Sequence, residues 1–206
     1  CFEQAGTSLT LFADRNVDRM IFGWEMPASM TQFFNPFFII VFGSIFSLMW
    51  VKLSKIGKNP SIPLKFCFGI VQLALGFLVT NIGFQFVNEA FQVPLLTLVF
   101  LYMLHTSGEL FLSPIGLSMV TKLSPKSMAG TAMGAWFLSF AIANYVGGKI
   151  AAITGGHGDS GEALSIGDGL NQYLEIFSTI GYVLLAIAFV IFLLNKPIKK
   201  LMHGVE

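Results

Sequence analysis

Apolar side chains make up 54% of this 206-residue chain and charged ones only 11%, whereas a soluble domain carries about 25% charge. The net charge of +1 and the separation of basic from aromatic residues exclude a nucleic-acid-binding surface. No HExxH, nucleotide fingerprint or Ser/His/Asp set occurs, so the chain reads as an integral, multi-pass membrane protein, an all-α bundle in contact with the lipid bilayer, and not an enzyme.

Residues 1–13 are apolar apart from Glu3 and Gln4. As a helix they reach only about 20 Å, short of the roughly 30 Å hydrocarbon layer. They are expected to form the outer part of a transmembrane helix truncated at its start, and the chain to be a fragment. Five runs long enough to span follow, at 30–51, 66–87, 92–120, 127–154 and 173–195. Their lack of alternation excludes a barrel, whose strands alternate and run about 10 residues. Two longer connections, 14–29 and 155–171, look like loops and not domains. The second, with His157, Asp159 and Glu162, lacks the spacing of a calcium loop and is expected to be an outer loop. Cys1 and Cys67 fall in predicted spans and form no disulfide or metal framework.

Charge sets the orientation. Lys52, Lys55, Lys58 and Lys65, then Lys122 and Lys126, then Lys196, Lys199 and Lys200 mark every second connection and the C-terminus as cytoplasmic by the positive-inside rule. The remaining connections carry the acids, with Arg15 and Arg19 the main exception. Six helices with both ends cytoplasmic match in size one half of a major-facilitator transporter, which places its site at the midplane between two halves.

Candidate site residues lie inside these spans. Glu109 is an acid in the middle of an apolar run, where an uncompensated charge costs about 2.5 to 3.5 kcal/mol or more. It could bind a cationic substrate group, carry a proton, do both, or only hold helices together. His105, Glu109 and Ser113 follow i, i+4, i+8 spacing and predict a polar stripe along one helical face; His105 reads equally well as a packed core residue. Glu3 is a second acid at membrane depth, whose partner would be a cation outside this chain. Asn35 precedes Pro36, whose ring removes a helical hydrogen bond, so its amide could repair the kink locally or contact a ligand. Trp136 is suited to wall an apolar pocket, beside Gly130 and Gly134, a small-xxx-small pair expected to pack helices closely. Trp24 and Trp50 read as interfacial anchors.

Four stretches, FEQAGTSLTLFAD at 2–14, QFFNP at 32–36, SGELFLSPIGLSMVTKLSP at 107–125 and MAGTAMGAWFL at 128–138, resemble helices seven, eight, ten and eleven of the proton-dependent oligopeptide transporter family, a branch of the major facilitator superfamily. The resemblance covers nearly the whole chain and implies its C-terminal half. It implies proton-coupled symport of di- and tripeptides by alternating access, with protons as coupling ion and no other cofactor. Asn35 and Glu109 would hold the peptide's amino terminus, Ser113 and Trp136 would line the pocket, and Glu3 would pair with a cation of the other half near the outer gate. The missing N-terminal half, which would carry the helix-one acid and arginine motif and the basic side of the pocket, is the implied partner. The fragment alone is not expected to transport. Rival readings are a carrier for another small solute such as nitrate or an amine, and a non-transporting structural membrane protein. The expected location is the cell's inner (plasma) membrane.

Overall fold

The computed structural model describes residues 6–154 and 165–202. Seven α-helices occur among them: α1 Ser8–Asn16, α2 Phe34–Lys55, α3 Ile62–Phe84, α4 Leu95–Leu123, α5 Ala129–Thr154, α6 Ile166–Leu193 and α7 Asn195–Leu201. Among the described residues four helical stretches, Ala28–Lys55, Ile62–Phe84, Leu95–Leu123 and Ile166–Leu193, are long and apolar enough to cross a membrane. At 26 residues α5 is comparable in length to these stretches. Glu3, Cys1 and the loop holding His157, Asp159 and Glu162 lie outside the described residues.

Helix boundaries depart from the apolar runs where capping decides them. Instead of starting at 173, α6 starts at Ile166. Ser165 precedes it, its hydroxyl accepting from the Asp168 backbone N–H at 3.1 Å and donating to the Asp168 carboxylate at 2.6 Å, which satisfies a free N-terminal amide. Likewise α3 begins at Ile62 and not at 66, because Pro63 suits the first helical turn, where its missing N–H is no loss. Lys65 is thereby drawn out of the predicted loop into the helix, where it is buried. Pro94 ends a two-residue strand, β4 Val93–Pro94, which pairs in parallel with β1 Val17–Asp18. The expected start of α4 at 92 is corrected by this pairing. A second pairing, β2 Met20–Ile21 with β3 Trp24–Glu25, turns through Phe22 and Gly23, both at positive φ (49° and 85°), as a two-residue hairpin requires.

Arg19 lies at the base of that hairpin. Its guanidinium pairs with Glu25 at 3.0 Å and Asp14 at 3.4 Å and donates to the Met26 carbonyl at 2.6 Å. The basic exception in an acidic connection is therefore matched locally.

The centre of the bundle is α3, packed mainly against α4 and α6. Glycines bring α3 and α4 close. A Cβ on Gly108 would meet the Gly69 carbonyl oxygen at 2.7 Å, and one on Gly76 would meet the His105 ring at 2.3 Å. By contrast, Cβ atoms on Gly130 and Gly134 would meet nothing within 4 Å, so the close approach expected of that pair is not made among the described residues. Beyond these contacts Phe12, Phe77, Tyr173 and Phe177 form an aromatic core, with Phe12 edge-on to Tyr173 at 5.3 Å and to Phe177 at 5.6 Å.

Asn16, almost fully buried, ends α1 and joins three segments by donating its side-chain amide to the carbonyls of Phe91 and Ile166 at 3.2 and 3.1 Å. Asn16→Ala leaves both carbonyls without this donor, at about 1–3 kcal/mol for such an unmet group. A lower thermal midpoint of the detergent-solubilised protein is expected, and an unchanged midpoint would contradict the tie.

No residue of α2 is fully buried. Its Phe38, Phe42 and Phe46 stack in a column at 5.6 Å spacing. Phe46 and Trp50 then meet Phe111 of α4 edge-on, each at 5.1 Å. Lys65 places its ammonium 4.5 Å above the Trp50 ring, a cation–π contact. Trp50 packs between α4 and this lysine, while Trp24 is exposed on the hairpin.

Candidate functional site

The site begins where a 3₁₀ turn, Ala28–Phe33, passes into α2. Gln32 ties this turn to α1 through Thr10 at 3.1 Å, and the Phe34 ring leans on Tyr102 of α4 at 6.1 Å. These contacts aim the second residue of α2, Asn35, at α4. Its amide nitrogen donates to the Thr106 hydroxyl and to the Glu109 carboxylate, both at 3.1 Å. The expected kink does not arise, because Pro36 falls in the first turn of α2, where its missing N–H is no loss; the amide instead reaches across to a helix more than seventy residues away in sequence.

Glu109 is half-buried and has no ion-pair partner among the described residues, where both salt bridges belong to Arg19. One carboxylate oxygen takes the Asn35 hydrogen bond. One turn on, Ser113 is also half-buried, and Pro114 within α4 deprives the Leu110 carbonyl of its helical donor. Gly116 then receives the Trp136 ring, whose edge lies 2.3 Å from where a Cβ would sit. Trp136 lines a cavity of about 540 Å³ with Phe66, Met119, Val120 and Ala132 among its walls.

Glu109, Ser113 and Gly116 follow helical spacing and share one face of α4. From Glu109 to the Trp136 contact this face is about 10 Å long. His105 leaves the predicted stripe: it is buried, its ring 4.5 Å from Phe77 and beneath Gly76 of α3. An i+4 step turns a helical position by about 40°, which here leaves His105 against α3 and Glu109 within reach of Asn35 on α2. The structure thus joins Asn35 to Glu109 directly, sets Ser113 beyond them and Trp136 at the far end, and leaves Glu3 outside the described residues. Thr106 was not singled out by the sequence, where it is one more hydroxyl in an apolar helix; its position one turn before Glu109 is the signal that could have found it. No three His, Cys, Asp or Glu side chains gather into a metal site among the described residues.

A larger hollow of about 610 Å³ between α3 and α4 is lined almost only by apolar groups, including Ile82, Phe86, Leu96 and Phe100. None of the candidate residues lines it.

Comparison with known proteins agrees with the resemblance read from the sequence. The family model described as PTR2, POT family, matches residues 1–164. The peptide transporter YePEPT of Yersinia enterocolitica is 38% identical over the full chain, which covers 38% of that protein. Dipeptide and tripeptide permease A of Edwardsiella piscicida is 38% identical over 95% of the chain and 39% of its own length. The uncharacterized transporter YclF of Bacillus subtilis is 34% identical over 98% of the chain and 38% of its own length. Among solved structures, a peptide transporter POT in complex with sulfate superposes with a TM-score of 0.82 at 31% identity, covering 98% of this chain and 38% of that one. The chain thus spans well under half the length of these relatives. It belongs to the POT family.

Proposed function

We propose that this chain is the C-terminal six-helix half of a major-facilitator carrier that takes up di- and tripeptides together with protons by alternating access. The observation that carries the proposal is the Asn35–Glu109 pair, an amide and a carboxylate side by side on two membrane helices. An acid kept at such depth serves a ligand or a proton, and a carboxylate with a free oxygen beside an amide carbonyl suits an ammonium, a donor-only group. The names of the relatives, permeases and transporters of peptides, support a peptide as the bearer of that ammonium and a transporter, not an enzyme, as the whole protein.

Size supports the same reading. An extended dipeptide or tripeptide spans about 7 to 10 Å, comparable to the face of α4 between Glu109 and the Trp136 contact. In this arrangement Asn35 and Glu109 receive the amino terminus, Ser113 lines the middle and Trp136 walls a side-chain pocket. The facing wall, with the cations that would hold the peptide's carboxylate and pair with Glu3 at the outer gate, belongs to the N-terminal half of the full-length protein. Protons are the coupling ion. The lysine-rich connections and the C-terminus face the cytoplasm, and the protein resides in the inner (plasma) membrane.

Uptake of a labelled dipeptide by cells expressing the full-length protein tests this reading. Unlabelled di- and tripeptides should compete and nitrate should not. Competition by nitrate or simple amines, with none from dipeptides, would assign the carrier to another solute.

A further inference from the structure

We propose that Thr106 is a positioning residue that fixes the orientation of the Asn35 amide and so keeps the substrate-facing side of the pair free of hydrogen-bond donors. The proposal rests on the reading that Asn35 and Glu109 receive a cationic amine.

An asparagine amide carries two N–H donors and one carbonyl acceptor. Both Asn35 donors are directed at α4, one to the Thr106 hydroxyl and one to the Glu109 carboxylate. An ionised carboxylate only accepts, so Glu109 dictates that the nitrogen, not the oxygen, faces it. Glu109 alone fixes only one of the two N–H bonds; the amide could still swing about that single contact and offer its second N–H to a ligand. The Thr106 oxygen receives that second hydrogen and removes the freedom. Thr106 is fully buried, so its hydroxyl meets no competing solvent and holds the amide in one rotamer. Among the described residues nothing donates to the Asn35 carbonyl oxygen, and one Glu109 oxygen is likewise left over. The pair therefore presents two acceptors and no donor.

Two consequences separate this role from simple packing. Threonine and valine have nearly the same shape, so Thr106→Val removes the hydroxyl with little change in volume. Serine keeps the hydroxyl and loses a methyl. A packing role predicts that serine is the worse replacement; the positioning role predicts the reverse.

The test uses the full-length protein in two measurements. In uptake, Thr106→Val is expected to raise the KM for a dipeptide about tenfold, one hydrogen bond's effect on affinity, with Vmax little changed, and to narrow the preference for a free-amine dipeptide over its N-acetyl form. Thr106→Ser should restore both to within about twofold, and Thr106→Val should add nothing in an Asn35→Ala background, as expected of residues acting through one contact. An equal effect of Thr106→Val with and without Asn35, or wild-type behaviour of Thr106→Val, would overturn the proposal. The second measurement is a double-mutant cycle on thermal midpoint in detergent for Thr106→Val and Asn35→Ala, which reads their coupling whatever solute is carried. Non-additive shifts support the proposal and strictly additive ones overturn it. Absence of dipeptide uptake by the unmutated protein would instead remove the peptide reading and leave the cycle to decide the Thr106 contact.

Discussion

Glu109→Gln in the full-length protein is expected to cut dipeptide uptake by about ten- to a hundredfold while leaving the fold intact. The two side chains have the same length, and the glutamine carbonyl can still accept from Asn35, so the α2–α4 contact survives. What goes is the negative charge that, on the proposed function, meets the ammonium; a hydrogen bond to a charged group contributes about 1.5–3 kcal/mol, and each 1.4 kcal/mol is a factor of ten. Glutamine also cannot titrate, which lets one variant divide two roles. If Glu109 only receives the amine, substrate exchange and proton-driven accumulation should fall together. If it also carries the proton, accumulation against a gradient should vanish even at substrate concentrations that saturate exchange. Unchanged uptake with an unchanged thermal midpoint would remove Glu109 from the site.

A second large effect is expected one residue earlier. In Gly108→Ala the new methyl would meet the Gly69 carbonyl oxygen at 2.7 Å, with the Leu73 backbone nitrogen and Gln72 Cβ at 3.4 Å. A backbone oxygen cannot rotate aside, so α3 and α4 must separate, at an overpacking cost of about 1–3 kcal/mol. Alanine's better helix propensity returns about 1 kcal/mol at most, and the clash prevails. The separation also strains the neighbouring Ser107–Gln72 hydrogen bond and shifts Glu109 against Asn35, so uptake should fall along with stability. Gly130→Ala is the control, since its Cβ meets nothing within 4 Å. Equal thermal midpoints for the two alanine variants would show that the α3–α4 approach is looser than described.

These two neighbours illustrate what the sequence could and could not convey. That Glu109 lies in a membrane-deep helix follows from apolar run length alone, because the bilayer imposes it. Its contact with Asn35 does not, since nothing local links residues 74 positions apart; only the family resemblance grouped them. The glycine pattern misled at Gly130 and Gly134, where spacing suggested packing, while the tight contacts fall at Gly69, Gly76, Gly83, Gly108, Gly116 and Gly181, whose partners on other helices are invisible in sequence. Helix starts at Ile62 and Ile166 were missed for a different reason: hydropathy registers the greasy interior of a span, whereas Pro63 and the Ser165–Asp168 pair act through backbone geometry and capping. His105 shows the limit of counting by fours: a single step turns about 40°, and here that separates a residue packed on α3 from one bonded to α2.

Although no residue of α2 is fully buried, the helix packs along α4, with Phe34 and Phe38 resting on the bundle core. The Asn35 amide holds one end on α4; Phe46 and Trp50 on Phe111, with Lys65 above, hold the other. The two lie fifteen residues apart, about 22 Å of helix, and only the first is polar. If the proposed amine takes over the Glu109 carboxylate, what loosens is the polar end of α2, while the aromatic end keeps its packing on Phe111.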